Sequence, residues 1–149
     1  MRLVSTQFSL ETESFELYIA GCREHPCIGC YSPELWDENV GEELNEEKYK
    51  KLGKSILSKL DIIKNIFILG GEPLEKPKEE VIKLLTFLKQ FKKPLWLFTR
   101  FKLKEVDKEI LNELDYVKTG RYIKRKKTNK KIRFGIKLAS SNQNIYKNF

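Results

Sequence analysis

Apolar and polar residues along this chain recur at two different periods, and each change of period marks an element. Phe15-Glu16-Leu17-Tyr18-Ile19-Ala20 alternates and then turns apolar, the pattern of a strand that delivers Gly21 and Cys22 at its C-terminal end. Over residues 46–60, Tyr49, Leu52, Ile56, Leu57 and Leu60 fall at helical spacing on one face. Lys48, Lys51, Lys54 and Lys59 lie largely off it, and Gly53 weakens the helix somewhat. Ile66-Phe67-Ile68-Leu69 is a short buried strand ended by Gly70-Gly71. Pro77 precedes a second amphipathic helix over 78–91. Its stripe is Val81, Ile82, Leu84, Leu85 and Leu88, with Glu79 and Glu80 in the first turn, where they suit the helix dipole. After Pro94, Leu95-Trp96-Leu97-Phe98-Thr99 is the next strand. A short helix fits 105–114. Leu114-Asp115-Tyr116-Val117-Lys118 is a further strand, opening onto Thr119-Gly120-Arg121.

Strands alternating with helices predict an α/β protein with a parallel sheet, and 149 residues predict a single domain over 1–149. Ligands of such sheets sit at the carboxyl ends of the strands. The cysteine loop, Gly70-Gly71-Glu72-Pro73, Thr99-Arg100 and Thr119-Gly120 all fall on that edge. The last part, 120–149, departs from the pattern. Residues 121–127 and 131–138 flank Thr128-Asn129-Lys130 and read as a basic hairpin with its turn at the Asn, followed by a tail.

Composition narrows the setting. No run approaches the roughly 20 apolar residues of a membrane span, and Met1–Gln7 lacks the apolar core of a signal peptide, so the expectation is a cytoplasmic protein. The net charge is +8, much of it between Lys118 and Lys137. Lys124-Arg125-Lys126-Lys127 and Lys130-Lys131 resemble a nucleic-acid patch, but also suit a solvated hairpin or docking to an acidic protein.

The chemistry is concentrated in the only three cysteines, Cys22, Cys27 and Cys30, spaced C-x4-C-x2-C. An odd count packed so closely is no disulfide framework, and in a reducing compartment it points to metal. Three thiolates can hold a 4Fe–4S cluster by three of its irons, where four cysteines are the usual complement, leaving one iron open for a group that is not protein. The competing reading is a structural zinc site with His25 as fourth ligand. His25 lies a single residue from Cys27, a poor fit to paired zinc spacings. No Ser/His/Asp or paired-carboxylate arrangement is evident, so no side chain is expected to act as catalytic acid, base or nucleophile.

These residues carry a resemblance. Gly29-Cys30-Tyr31 in the cysteine loop, Gly70-Gly71-Glu72-Pro73, Gly120-Arg121-Tyr122 after Asp115-Tyr116-Val117, and the closing Ser140-Ser141-Asn142-Gln143 resemble the radical S-adenosylmethionine (SAM) enzymes. More narrowly they resemble the activating proteins of anaerobic ribonucleotide reductase, over nearly the whole chain. Two departures stand out. The family spacing is C-x3-C-x2-C, one residue shorter, and loops accept single insertions. Lys118-Thr119 stands where relatives often carry an acid before the glycine, so that acid's role does not transfer.

The resemblance implies a small, incomplete radical SAM barrel with flanking helices. It implies a 4Fe–4S cluster on Cys22, Cys27 and Cys30, with SAM chelating the open iron. Gly70, Gly71, Glu72 and Pro73 would receive the methionine end through backbone contacts. Gly29 and Tyr31, flanking the cofactor-binding Cys30, would meet the adenosine part, and Thr99 the ribose or carboxylate. Reductive cleavage of SAM would yield a 5′-deoxyadenosyl radical, which would take a hydrogen from a glycine of the reductase. Partners would be that anaerobic ribonucleoside-triphosphate reductase and a flavodoxin-like electron donor, with no role for a membrane or a nucleic acid. The rivals are an activase of another glycyl-radical enzyme, of formate-lyase type, and a metal-stabilised nucleic-acid-binding module. The second leaves Gly70-Gly71-Glu72-Pro73 unexplained.

Overall fold

Nine short strands and three helices are built from these patterns in the computed structural model, which describes residues 1–23 and 27–149. In chain order they are β1 (Arg2–Ser9), β2 (Ser14–Ile19), β3 (Glu42–Glu43), α1 (Glu46–Leu57), β4 (Asn65–Gly70), α2 (Lys78–Lys89), β5 (Leu95–Phe98), α3 (Lys108–Glu113), β6 (Tyr116–Thr119), β7 (Ile132–Arg133), β8 (Ile136–Lys137) and β9 (Asn144–Lys147). Seven strands form one sheet in the order β3-β1-β2-β4-β5-β6-β9. The pairs β2–β4, β4–β5 and β5–β6 are parallel, as the alternation predicts. The outer pairs β3–β1, β1–β2 and β6–β9 are antiparallel. The sequence did not announce these edges: β1 buries only Leu3, and β9 only Ile145.

The helices cover one face of the sheet. Leu52 and Ile56 of α1 and Val81, Leu84, Leu85 and Leu88 of α2 pack with Phe15, Leu17, Ile19, Ile66, Ile68, Leu95, Leu97 and Val117 in one core. Each such fully buried aliphatic side chain contributes about 1.5–3 kcal/mol. Helix α1 ends at Leu57, not Leu60, and Leu57 itself is exposed, so the buried stripe is narrower than its periodicity suggests. Helix α3 is also shorter than expected. Asp107 caps it by accepting the Glu109 amide at 2.8 Å, and residues Leu103–Glu105 form a separate 3₁₀ turn.

The alternate residues, Phe67, Trp96, Phe98 and Tyr116, point to the other face. Trp96 and Tyr116 stack there at 3.9 Å between ring centroids, and Ile136, Leu138 and Ile145 partly cover them. The basic hairpin lies on this face, but its turn is not at Thr128-Asn129-Lys130. Ile132 pairs with Lys137 and Arg133 with Ile136, leaving Phe134-Gly135 as a two-residue loop with both φ positive (49° and 80°). That is the geometry of a tight hairpin turn matched to strand twist. Among the described residues no helix is long and apolar enough to cross a membrane.

Candidate functional site

Period two and parallel register bring one row of side chains to the C-terminal ends of the strands. Tyr18 of β2 stands opposite Leu69 of β4, and Phe98 of β5 opposite Lys118 of β6, all on the face the helices leave open. Beside Leu69, Phe98 and Lys118 lies a cavity of about 300 Å³. Cys22, Cys27, Cys30, Tyr31, Gly70, Gly71, Glu72 and Thr99 line it, with Tyr122 and Leu138 closing the hairpin side. Segments far apart in the chain therefore meet at the edge the sequence pointed to. Gly29 and Pro73 do not line it. Gly29 packs beneath Tyr122, and Pro73 is buried at the start of the 3₁₀ turn Pro73–Glu75.

The glycine pair is required by backbone packing. Gly70 has φ +121°, a conformation that side chains other than hydrogen rarely adopt. A Cβ on Gly71 would overlap the carbonyl of Gly21 and stand 2.9 Å from the Leu35 oxygen. The Gly21, Gly71 and Glu72 amides are already committed. Gly71 N donates to Ile19 O at 2.8 Å, Glu72 N to Gly21 O at 2.7 Å, and Gly21 N to Leu35 O at 2.7 Å. The absent side chain thus makes room for the strand end that carries Cys22, and the segment's carbonyl edge is what it has left to offer a ligand.

Glu72 is turned inward and is 1% exposed. Its Oε1 accepts from Thr99 Oγ1 at 2.7 Å and from the Leu74 amide at 3.1 Å, and its Oε2 from the Arg100 amide at 2.8 Å. Thr99 Oγ1 also accepts the Phe101 amide at 3.1 Å. Both polar groups are spent joining the loop after β4 to the loop after β5. Burial raises the Glu72 carboxyl above its ordinary range, against the pull of these donors and the nearby Arg100 charge.

All three cysteines are free thiols. Cys22 is buried, and Cys27 and Cys30 are partly so. Cys30 N donates to Cys27 O at 3.1 Å and Cys30 Sγ accepts from Ser32 N at 3.4 Å, closing a turn around the last two. The Cys22 thiol is pushed up to about 11, first by burial and then by Glu75, with Arg100 opposing. A metal taken up there must displace that proton. Among the described residues no three His, Cys, Asp or Glu side chains converge on a single ion-sized point. A four-iron cluster asks instead for thiolates on separate irons around one cavity. His25, the zinc reading's fourth ligand, lies outside the described residues.

Several residues that the sequence names without a structural part take one here. Arg100 has only 10% of its side chain exposed and ion-pairs with Glu75. Lys118 Nζ donates to Gly120 O at 3.1 Å, and burial pushes its ammonium down to about 8, with Glu72 and Cys27 opposing. The closing Ser140-Ser141-Asn142-Gln143 acts as a clamp. Gln143 Oε1 accepts the Ala139 and Ser140 amides at 3.0 and 3.1 Å while its Nε2 donates to Gly120 O at 3.1 Å. Asn142 Nδ2 donates to Arg121 O at 2.7 Å. The clamp holds Gly120-Arg121-Tyr122 so that the Tyr122 ring meets Tyr31 at 5.5 Å. The sequence carries this motif only as part of the family resemblance, with no sign of the clamp.

Comparison with known proteins agrees with this geometry. Residues 13–146 match the family described as the 4Fe-4S single cluster domain. The chain is also 27% identical over 115 residues to the anaerobic ribonucleoside-triphosphate reductase-activating protein of Haemophilus influenzae, covering 72% of each chain.

Proposed function

The chain belongs to the family of 4Fe-4S single cluster domains, and on that premise we propose that it is a radical SAM activase of an anaerobic ribonucleoside-triphosphate reductase. The observation that carries the reading is the meeting of all three thiols with Gly70-Gly71 around one cavity at the ends of the parallel strands. Four parallel strands with helices on one face and this cavity on the other suit part of a radical SAM barrel, left open so that a glycine-bearing loop of the reductase can enter. We read 1–149 as one such domain, working in the cytoplasm with a flavodoxin-like electron donor.

Cys22, Cys27 and Cys30 would hold the cluster, which would supply the electron for reductive cleavage of SAM to methionine and a 5′-deoxyadenosyl radical. The protein's task is to position and to exclude. The Gly70-Gly71 carbonyl edge suits the ammonium of the methionine moiety, since the Gly71 and Glu72 amides are already paired. Leu69 and Phe98 give the cavity a water-poor floor, and Tyr31 with Tyr122 forms an aromatic wall on which an adenine can lie. Glu72 and Thr99 hold the two loops in register and touch the ligand through their backbone at most.

The test is anaerobic incubation with SAM, dithionite and the reductase. Formation of 5′-deoxyadenosine and a glycyl-radical signal on the reductase is expected. The radical appearing on a formate-lyase instead would redirect the substrate, and no SAM cleavage by cluster-loaded protein would refute the activity.

A further inference from the structure

Among the described residues, Arg100 Nε is a buried side-chain nitrogen with no hydrogen-bond partner. Its guanidinium is otherwise well held. Nη2 donates to Glu75 Oε1, and Nε stays 3.9 Å from Glu72 Oε2, beyond hydrogen-bond reach. Glu72 and Glu75 are themselves 1% and 9% exposed on their side chains. The third group beside the guanidinium is the buried Cys22 thiol, close enough that the charge of each acts on the other. Arg100 and Cys22 line the same cavity.

An orphaned donor on a buried cation is costly, and Arg cannot shed its proton to escape the cost. A fold that keeps one next to a cluster-ligand cysteine has a use for it once an anion arrives. We propose that Arg100 is a positioning residue for the bound cluster, donating a charge-assisted hydrogen bond to the sulfur on its Cys22 side and so raising its reduction potential. The inference rests on the cluster reading above.

The sign follows from charge. Three thiolates on a cluster core of charge 2+ give a net −1. A one-electron donor, dithionite in the test, takes this to −2 and is itself oxidised. No proton moves at Arg100. The fixed cation favours the more negative state, and hydrogen bonds to cluster sulfurs are an established lever on potential. Glu75, opposed to the same guanidinium, should act in the other direction.

The experiment is a mediated redox titration of the reconstituted full chain, followed by the cluster's absorption and by electron paramagnetic resonance of the reduced state. Arg100→Gln should shift the midpoint to more negative values, Arg100→Lys should fall between it and wild type, and Glu75→Gln should shift it upward. Iron and sulfide contents are measured on every sample. A purely structural role would lower the thermal stability of the metal-free variants and leave the midpoint alone. If Arg100→Gln does not load, Arg100→Lys and Glu75→Gln decide. Midpoints equal to wild type in both, at full iron and sulfide, overturn the proposal. Wild-type protein that takes up no iron and sulfide defeats the underlying cluster reading instead.

Discussion

Thr99 Oγ1 donates to Glu72 Oε1 at 2.7 Å, a buried hydrogen bond that joins the ends of two neighbouring parallel strands directly beneath the cavity. The acid of the Gly-Gly-Glu-Pro segment therefore serves as an internal strut. Replacing it with Gln turns an amide NH₂ toward a donor that now meets an oxygen, at a cost of about 1–3 kcal/mol.

That cost should depend on pH. The folded Glu72 carboxyl titrates above its ordinary 4.5, so the folded state holds a proton that the unfolded state has already released. Its contribution to stability is full below pH 4.5 and is lost as pH rises through the folded value. Glu72→Gln has no such slope. Unfolding of the metal-free proteins from pH 4.5 to neutrality should show the variant's deficit shrinking as pH rises. A deficit that grows would mean the fold lowers this carboxyl.

Gly71→Ala tests the packing at the strand end. Its methyl would collide with the Gly21 carbonyl and crowd Leu35 O, both backbone atoms that cannot swing aside. Overpacking of this kind costs about 1–3 kcal/mol, and the Gly21-Cys22 segment is what must move. Iron and sulfide uptake should fall together with the melting temperature. Normal uptake with only SAM affinity lost would show that the methyl occupies ligand space and not protein space.

The basic residues ahead of the hairpin, in and after the 3₁₀ turn Lys124–Lys126, are expected to dock an acidic protein surface. Lys126, Lys127 and Lys130 are exposed, whereas Lys131 Nζ is tied to Ser141 O at 2.8 Å and Gln143 O at 2.5 Å. Changing the first three to Gln should slow glycyl-radical formation by roughly tenfold at low ionic strength. The difference should fade near physiological salt, where the Debye length is about 8 Å. SAM cleavage driven by dithionite should be unaffected. Equal radical formation at low salt, or salt-sensitive nucleic-acid binding lost in the variant, would contradict the docking role.

What the sequence made legible was whatever a repeat or a count could carry. Strands β2, β4, β5 and β6 and the stripes of α1 and α2 declare themselves through buried alternate or helical positions such as Leu17, Ile68, Leu97 and Leu84. Edge strands β1 and β9 do not, because one buried residue each makes no period. Turn propensity puts the hairpin turn at Asn129, but Phe134 accepts a positive φ beside Gly135 and sets a different register. The three cysteines are found by counting. The reason for Gly71 needs the backbone of Leu35, and the role proposed for Arg100 needs its burial beside Glu72 and Glu75 in the cavity wall it shares with Cys22. Neither has a local signature.

The central claim is that Cys22, Cys27 and Cys30 together hold one four-iron cluster with an open iron. Its most direct measurement is anaerobic reconstitution followed by iron, sulfide and zinc analysis with absorption and electron paramagnetic resonance spectra, on wild type and on each Cys→Ala variant. About four irons and four sulfides per chain are expected in wild type. The spectrum of the reduced cluster should change on adding SAM, and every single variant should lose loading. Stoichiometric zinc with neither iron nor sulfide in the wild-type protein would contradict the account.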